Sequence, residues 1–398
     1  MLSGSSVAVI GGGISGLVCA NRLSQLGINN TTVFDTGKHA PGGRCSSRQV
    51  IIDGRAHVFD HSAQYFTVTD SRFAKIVSYL HRKGAVKIWN GKLGHLKSGK
   101  FSVDKNITQA FIGVNGMQDI PKCLAETLNL KNSTWAGNVS WEAASKKWRV
   151  DRHGYFDYLV IAHNGKCADK LMSSAGAPQV HRLTQVRFCH QPDLKDKRMQ
   201  LCSLWALLVS FPTPLKLPFE GVHVEDTDIS WMANNTAKLR DPSRQQTTSN
   251  ECWTVFSTRQ FGSRNKCPQE NIPPKVEKEV TDRLLQAMKR VTGLAQLPVP
   301  NYTRVQLWGA AVPMNILKTG DECVFDGQHN VGICGDWLTS PCIQGAVVSG
   351  LALAERINKH YTGADTSSTV LVPDFVAADG GIIGAFPTDA NMVFKPSK

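Results

Sequence analysis

A glycine-rich turn near the amino end carries the residues best suited to hold a phosphate group. The glycines follow the spacing GxGxxG, at Gly11, Gly13 and Gly16, directly after the β-branched run Val7–Ile10. The first glycine allows a tight turn, the second lets a pyrophosphate approach the backbone, and the third lets a helix pack closely on the strand. Asp35 ends the next apolar run, where a carboxylate accepts hydrogen bonds from ribose hydroxyls. The pattern predicts a dinucleotide site and fits NAD and FAD equally, because both contain ADP.

The elements around these glycines must form a strand–helix–strand unit. A helix is predicted after the glycines because apolar residues recur at helical spacing, at Leu17, Ala20, Leu23 and Leu26. Gly27 suits the end of that helix, and Val33 and Phe34 form the second strand. Asp35 therefore stands at the carboxyl end of a buried strand, which is the position that the motif requires.

Composition restricts the class of protein. A chain of 398 residues is long enough for two domains. No run of 18 apolar residues occurs, so we expect no membrane span, and the first strand begins too early for a signal peptide. The eleven cysteines show neither disulfide nor zinc spacing, which fits a reducing compartment. We expect a soluble intracellular protein, cytoplasmic or, if a targeting peptide is missing from this sequence, organellar.

The net charge of +13 is concentrated partly in one basic stretch, residues 81–100. Such a stretch could bind an anionic partner, but we interpret it as a solvated face because no nucleic-acid-binding module accompanies it. We therefore expect no nucleic-acid partner, and no metal site. The sequence does not indicate an oligomeric state.

Two further stretches are characteristic of a family. A Gly-Gly-Arg triplet at 42–44 follows the acid, and DHSAQYFT follows at 60–67. Together with the glycine motif, they resemble the flavin-dependent amine oxidase superfamily, and the Gln-Tyr pair is most similar to its renalase-like oxidoreductases. The resemblance covers most of residues 7–360. It implies that the triplet touches the phosphate and ribose region of the cofactor and that Ala63, Gln64 and Tyr65 pass beside the flavin ring. Ser62 stands where the family usually has glycine, and would crowd the backbone if a positive φ were needed there.

A late segment favours FAD over NAD. Asn330–Trp337 is expected to be a last parallel strand carrying Gly335 and Asp336, followed by a helix that residues 340–346 open and that runs to about residue 357. In relatives, this carboxylate lies by the ribitol and pyrophosphate, and the N-terminus of the helix points at the flavin. An NAD dehydrogenase needs no such second element. Gln344 stands where relatives often have glutamate.

The resemblance also indicates the adenine end and the second domain. A strand is expected over Trp135–Trp141, and the resemblance implies that its residues 138–140 bind adenine through the backbone, although Val139 could equally be plain core. Trp231 and Trp308 could each line a substrate cavity or belong to the core. The residues expected to contact the cofactor are Gly11, Gly13, Ile14, Ser15, Gly16, Asp35, Thr36, Gly43, Arg44, Ala63, Gln64, Tyr65, Val139, Gly335, Asp336, Ile343, Gln344 and Ala346.

The predicted fold is α/β. A Rossmann-like, glutathione-reductase-type FAD-binding domain would comprise residues 1–80, 118–166 and 320–361. An α+β substrate domain on a mixed or antiparallel sheet would comprise 81–117 and 167–319. Residues 362–398, rich in small residues, are expected to be a flexible tail or a strap across the surface.

Three functional hypotheses follow from the resemblance. The first is an oxidase that passes hydride from a small reduced donor, such as a pyridine nucleotide isomer, to FAD and then to O2, giving H2O2. The second is an amine, terpenoid or tetrapyrrole-type oxidase or dehydrogenase. The third is a non-catalytic FAD-bound interaction protein. No side chain is indicated as a general base, so no catalytic residue is named. The FAD is expected to be non-covalent, because Trp308–Ala311 replaces the linking segment and Cys342 comes after Asp336.

Overall fold

The computed structural model describes residues 4–163, 165–193, 195–241, 250–368 and 373–378. The strands of these residues, in chain order, are β1 (Val7–Ile10), β2 (Thr31–Phe34), β3 (Arg48–Ile52), β4 (Arg55–Phe59), β5 (Val86–Ile88), β6 (Leu93–Lys97), β7 (Lys100–Val103), β8 (Phe111–Gly113), β9 (Asn129–Lys131), β10 (Val139–Glu142), β11 (Lys147–Val150), β12 (Tyr155–Phe156), β13 (Tyr158–Ile161), β14 (Val186–Phe188), β15 (Met199–Phe211), β16 (Gly221–Val224), β17 (Ile229–Asn234), β18 (Glu251–Ser257), β19 (Tyr302–Pro313), β20 (Asn315–Leu317), β21 (Val324–Asp326), β22 (Val331–Ile333) and β23 (Phe375–Ala377). The helices are α1 (Ile14–Gln25), α2 (Ser71–Arg82), α3 (Asp119–Ala125), α4 (Gly165–Met172), α5 (Pro178–Thr184), α6 (Asn235–Leu239), α7 (Arg259–Arg264), α8 (Pro274–Thr292) and α9 (Ile343–Tyr361). Short 3-10 turns lie at Gly43–Cys45 and Asp336–Leu338.

A six-stranded sheet forms the first layer, in the order β21-β22-β13-β1-β2-β9. All its neighbours are parallel except β21, which runs antiparallel to β22. Every residue of β1 and β13 is buried, as expected for central parallel strands covered on both faces. Helices α1 and α9 pack against each other beside this sheet. The arrangement confirms the predicted Rossmann-like α/β domain.

A second sheet has the order β14-β15-β18-β17-β16-β6-β7, with β19 paired along the other edge of β15. Most pairs are antiparallel, but β14–β15 and β16–β6 are parallel. Helix α8 covers one face with its buried residues, which include Val280, Leu284 and Met288. The predicted mixed sheet is therefore confirmed, and part of the basic 81–100 stretch forms the β6–β7 hairpin at its edge.

Two expected elements differ from the structure. The strand expected over Trp135–Trp141 begins only at Val139, and Trp135 lies in a loop. Phe375–Ala377 of the expected tail forms β23, which pairs with β20, and Phe375 stacks on Trp337 at 6.2 Å between ring centroids. This part of the tail is therefore a strap, while residues 369–372 and 379–398 lie outside the described residues.

Among the described residues, no helix is long and apolar enough to cross a membrane. Within the same part of the chain, no cluster of three or more histidine, cysteine or acidic side chains has the arrangement of a metal site. All eleven cysteines are described and carry free thiols.

Candidate cofactor site

A cavity of about 350 Å³ lies at the carboxyl ends of the parallel strands. Most of the residues expected to contact a cofactor line it, although they come from separate parts of the chain. These residues are Gly11, Gly13, Ile14, Ser15, Asp35, Thr36, Gly43, Arg44, Ala63, Gly335, Asp336, Ile343 and Ala346. Gly16, Gln64, Tyr65, Val139 and Gln344 do not line it.

The three motif glycines have different roles. Gly11 has a φ of +116°, and a Cβ on Gly16 would lie 2.1 Å from the Gly11 carbonyl oxygen, so α1 packs on β1 only because Gly16 has no side chain. A Cβ on Gly13, in contrast, would meet no atom within 4 Å. Gly13 precedes α1 without a side-chain cap, so the first N–H groups of the helix are available to a ligand. Two glycines thus shape the turn, and Gly13 leaves room for a pyrophosphate.

The Asp35 carboxylate is fixed at the end of β2. Its Oδ2 accepts a hydrogen bond from the Gly12 N–H at 2.9 Å, and its Oδ1 accepts one from the Gly37 N–H at 2.8 Å. Since a carboxylate offers about four lone-pair sites, each oxygen can accept a further hydrogen bond from the cavity. This is the arrangement that recognition of ribose hydroxyls requires.

Arg44 and Asp336 join the two distant parts of the site. Although 292 residues apart, they form two parallel hydrogen bonds, with Nη1–Oδ2 at 2.7 Å and Nη2–Oδ1 at 2.6 Å. Arg44 Nη1 also donates to the Ala311 carbonyl at 3.3 Å, which links the site to β19. Asp336 is buried and both residues line the cavity. Both residues were predicted to contact the cofactor, but no local pattern predicts that they pair with each other.

The N-terminus of α9 faces the cavity through Ile343 and Ala346, but Gln344 points elsewhere. Its Oε1 accepts from the Thr69 and Asp70 N–H groups at 2.8 and 3.0 Å, so it ties α9 to the start of α2. Cys342 caps the helix, with Sγ accepting from the Gly345 N–H at 3.2 Å. Burial raises the pKa of this thiol to about 11, which keeps it protonated and weakly nucleophilic.

The segment after β4 contributes backbone rather than polar side chains to the cavity. Gln64 is buried, donates to the Asp60 and Ser62 carbonyls and accepts from Trp231 Nε1 at 3.3 Å. Tyr65 is buried between Trp89 and Trp231. Ser62 does not have a positive φ, so the conformational conflict considered from the sequence is absent.

The end of the cavity beside Asp35 is lined by Thr134–Gly137 rather than by Val139. Val139 is buried and pairs with Val150 across the β10–β11 hairpin, as the alternative core assignment expected. Trp135, at 62% exposure, is the largest of these lining side chains. This loop was not predicted, because the apolar residues from Trp135 onward resemble a strand.

The second domain closes the cavity with Trp308, Gln269 and Ala310. Trp308 Nε1 donates to the His61 carbonyl at 2.8 Å, and its ring stacks on the His61 imidazole at 5.5 Å. Trp231 is fully buried and does not reach the cavity. Of the two tryptophans considered from the sequence, Trp308 is therefore the wall residue and Trp231 belongs to the core.

His61 makes folding sensitive to acid. Its pKa is lowered from 6.5 to about 4, first by burial and then by the charge of Arg48. The unfolded chain therefore binds a proton that the folded protein does not, and the free energy of unfolding falls as the pH drops from about 6.5 to about 4. At about 1.4 kcal/mol per pKa unit, the loss is about 2–3 kcal/mol by about pH 4.5.

We expect His61→Phe, which keeps a ring against Trp308, to remove this share of the acid sensitivity. Urea unfolding of the wild type and the variant, at neutral pH and at about pH 4.5, measures the free energy of unfolding of each protein at each pH. The difference between the two free energies should be smaller in the variant. An equal difference in both proteins would show that His61 is not the group responsible.

Comparisons with known proteins agree with this architecture. Residues 9–80 match the sequence family described as NAD(P)-binding Rossmann-like domain. Putrescine oxidase bound to putrescine is similar over 89% of this chain and 98% of its own, with a TM-score of 0.56 and 12% identity. Cyclohexylamine oxidase from Brevibacterium oxydans is similar over 89% and 99%, with a TM-score of 0.60 and 11% identity.

Reduced UDP-galactopyranose mutase is similar over 94% of this chain and 97% of its own, with a TM-score of 0.64 and 11% identity. These likenesses extend over both domains. The chain therefore shares the two-domain fold of these enzymes.

Proposed function

We propose that the chain is an FAD-dependent oxidoreductase, in which a small reduced donor, such as a pyridine nucleotide isomer, gives hydride to non-covalent FAD and O2 then accepts the electrons to form H2O2. The observation that supports this is the cavity itself. Its wall includes the glycine turn and Asp35, the Arg44–Asp336 pair, the N-terminus of α9 and Trp308. A dinucleotide whose reactive end meets a second domain fits this set of groups.

The residues present fit such a cofactor. Gly13 leaves its side open, the N–H groups at the start of α1 are free, and Asp35 has lone pairs available. The cavity wall thus has groups of suitable chemistry for the pyrophosphate and for the ribose of such a cofactor. Non-covalent binding is supported by Cys342, whose thiol caps α9 and has a raised pKa.

A bound flavin would supply a hydride-accepting ring that O2 can reoxidise. The positive end of the α9 dipole and its first N–H groups favour negative charge on that side of the cavity. Trp308 and Ala310 add apolar surface to the cavity wall. Burial lowers the pKa of His61 and of His163, so both are neutral at physiological pH. We therefore assign binding and charge stabilisation to the chain and no general base.

Oxidation of a small amine is the second candidate. Two of the similar structures are named as amine oxidases, one for putrescine and one for cyclohexylamine, in accord with the resemblance in the glycine, Gly-Gly-Arg and Gln-Tyr motifs. No specific observation favours a terpenoid or tetrapyrrole-type substrate. None favours a purely non-catalytic role either, because Ser62 adopts an ordinary backbone conformation.

Identification of the bound cofactor tests the proposal. We expect yellow protein that releases FAD into the supernatant on acid precipitation. Anaerobic mixing with reduced pyridine nucleotides, their isomers, putrescine and cyclohexylamine should bleach the flavin with one donor class, and air should restore the colour with formation of H2O2. Colourless protein that does not take up added FAD would refute the cofactor. Yellow protein that dithionite reduces but no donor bleaches would refute the reaction.

A further inference from the structure

One face of β19 extends from Trp308, in the cavity wall, towards Arg304. Side chains of a strand alternate between its two faces, so Trp308, Gln306 and Arg304 lie on the same face. Val305 and Leu307, on the other face, are buried in the core under α8. Trp308 lines the cavity, and the half-buried Gln306 and the exposed Arg304 follow it on the same face of the strand, outside the residues that line the cavity.

A second arginine meets this row from the β3–β4 hairpin. Arg48 Nη2 donates to Gln306 Oε1 at 3.2 Å, which places its guanidinium beside β19. Its Nε is buried without a hydrogen-bond partner. Burial and the neighbouring charge of Arg304 both lower the pKa of Arg48. The two guanidinium groups are thus close enough to repel each other.

Nothing in the described part of the chain neutralises this arginine pair. Neither Arg48 nor Arg304 forms an ion pair with a carboxylate there, whereas Arg72 and Arg290 on other surfaces each contact carboxylates at 3.5 Å or less. Two uncharged groups lie beside the pair: Tyr302, whose pKa is raised by burial against the opposing charges of Arg304 and Arg48, and His61. His61 is 5% exposed and its Nδ1 has no partner.

We propose that Arg48 and Arg304 bind an anionic group, a phosphate or a carboxylate, of the electron donor. The inference rests on the proposed function and names the class of substrate for the same site. A guanidinium pair without a protein carboxylate matches such an anion in charge and in bidentate geometry. Arg304 lies four residues from Trp308, or about 13 Å along an extended strand. The donor is therefore elongated, with its reacting end at Trp308 and its anion at the arginines.

The kinetic test compares two donors that share a dihydronicotinamide ring. Reduced nicotinamide adenine dinucleotide carries phosphates, and 1-benzyl-1,4-dihydronicotinamide carries none. Anaerobic flavin bleaching is followed for the FAD-loaded wild type, Arg48→Gln, Arg304→Gln and Arg55→Gln, the last removing an exposed arginine from the same hairpin. We expect each of the first two variants to raise the apparent Kd of the nucleotide by about tenfold.

The neutral donor should bleach all four proteins equally, and the nucleotide should bind Arg55→Gln as it binds the wild type. Arg304→Lys should restore part of the affinity because it keeps the charge but loses the fork of donors. Equal effects of Arg304→Gln on both donors would overturn the proposal, since they would indicate a general change of the site.

A binding measurement separates this inference from the proposed function. Calorimetric titration of the purified protein with inorganic pyrophosphate and with citrate requires no turnover, and the two ligands distinguish phosphate from carboxylate. We expect one of them to bind the wild type and Arg55→Gln but to bind Arg48→Gln and Arg304→Gln about tenfold more weakly. That result would stand even if no donor reduced the flavin. Equal affinity in all the proteins, or no binding of either anion to the wild type, would refute the anion site.

Discussion

Gly13→Val should give a folded protein that no longer binds FAD. A Cβ at Gly13 meets no protein atom within 4 Å, and the residue has an extended backbone with φ of −76°, so valine fits the fold. The added methyl groups instead occupy the space in front of α1 that a pyrophosphate needs. We expect FAD affinity to fall by at least about 100-fold, which corresponds to about 3 kcal/mol, with little change in the thermal midpoint of the cofactor-free protein.

Two matched variants separate binding from folding. A Cβ at Gly320 also meets nothing within 4 Å, and Gly320 is not among the lining residues, so Gly320→Val should retain FAD. Gly16→Val should instead prevent folding, because a Cβ there would overlap the Gly11 carbonyl. Equilibrium dialysis or flavin fluorescence quenching measures the affinity. Retention of FAD by Gly13→Val would mean that the cofactor lies elsewhere.

Lys238→Met should lower the free energy of unfolding by about 3–5 kcal/mol. Lys238 Nζ lies 2.6 Å from Asp60 Oδ2, and neither side chain is exposed. Loss of the ammonium group leaves a buried carboxylate whose other oxygen already accepts from Ser47 Oγ and the Met117 N–H. Since the Asp60 carbonyl also holds Gln64, next to Ala63 of the cavity, the pair supports the wall of the site.

Urea unfolding of a double-mutant cycle measures the contribution of this pair. Asp60→Asn combined with Lys238→Met removes both charges, so the double variant should be more stable than Lys238→Met alone. Lys97→Met breaks the exposed pair with Glu225 and should change stability by at most about 1 kcal/mol. If Lys238→Met were no more destabilising than Lys97→Met, the buried pair would make no net contribution.

Local sequence patterns predict the parts of this site that depend on the backbone. The glycine turn, Asp35 and the Gly335–Asp336 turn each follow a buried strand, and the carboxyl ends of neighbouring parallel strands meet at one edge. Residues at those positions therefore line one cavity, whichever side chains surround them. For the same reason, the two-domain α/β class could be predicted without knowledge of any long-range contact.

Side-chain direction and long-range partners could not be predicted in the same way. Gln344 and Gln64 stand at the expected positions, but their amides bind nearby backbone groups and Trp231, respectively. The partner of Asp60 is Lys238, a residue from another domain segment with no local signal to mark it. The partner of a buried polar side chain depends on which groups still lack a hydrogen bond or an opposite charge once the whole chain has packed.

The Arg44–Asp336 pair has a consequence for biosynthesis. Because its partners are 292 residues apart, the cavity cannot close while the intervening chain is still being translated. At roughly 5–20 residues per second, about 15–60 s separate the emergence of the two partners from the ribosome. During that interval the nascent glycine turn lacks the far wall of its pocket, so capture of the cofactor has to be a late event in the maturation of the polypeptide.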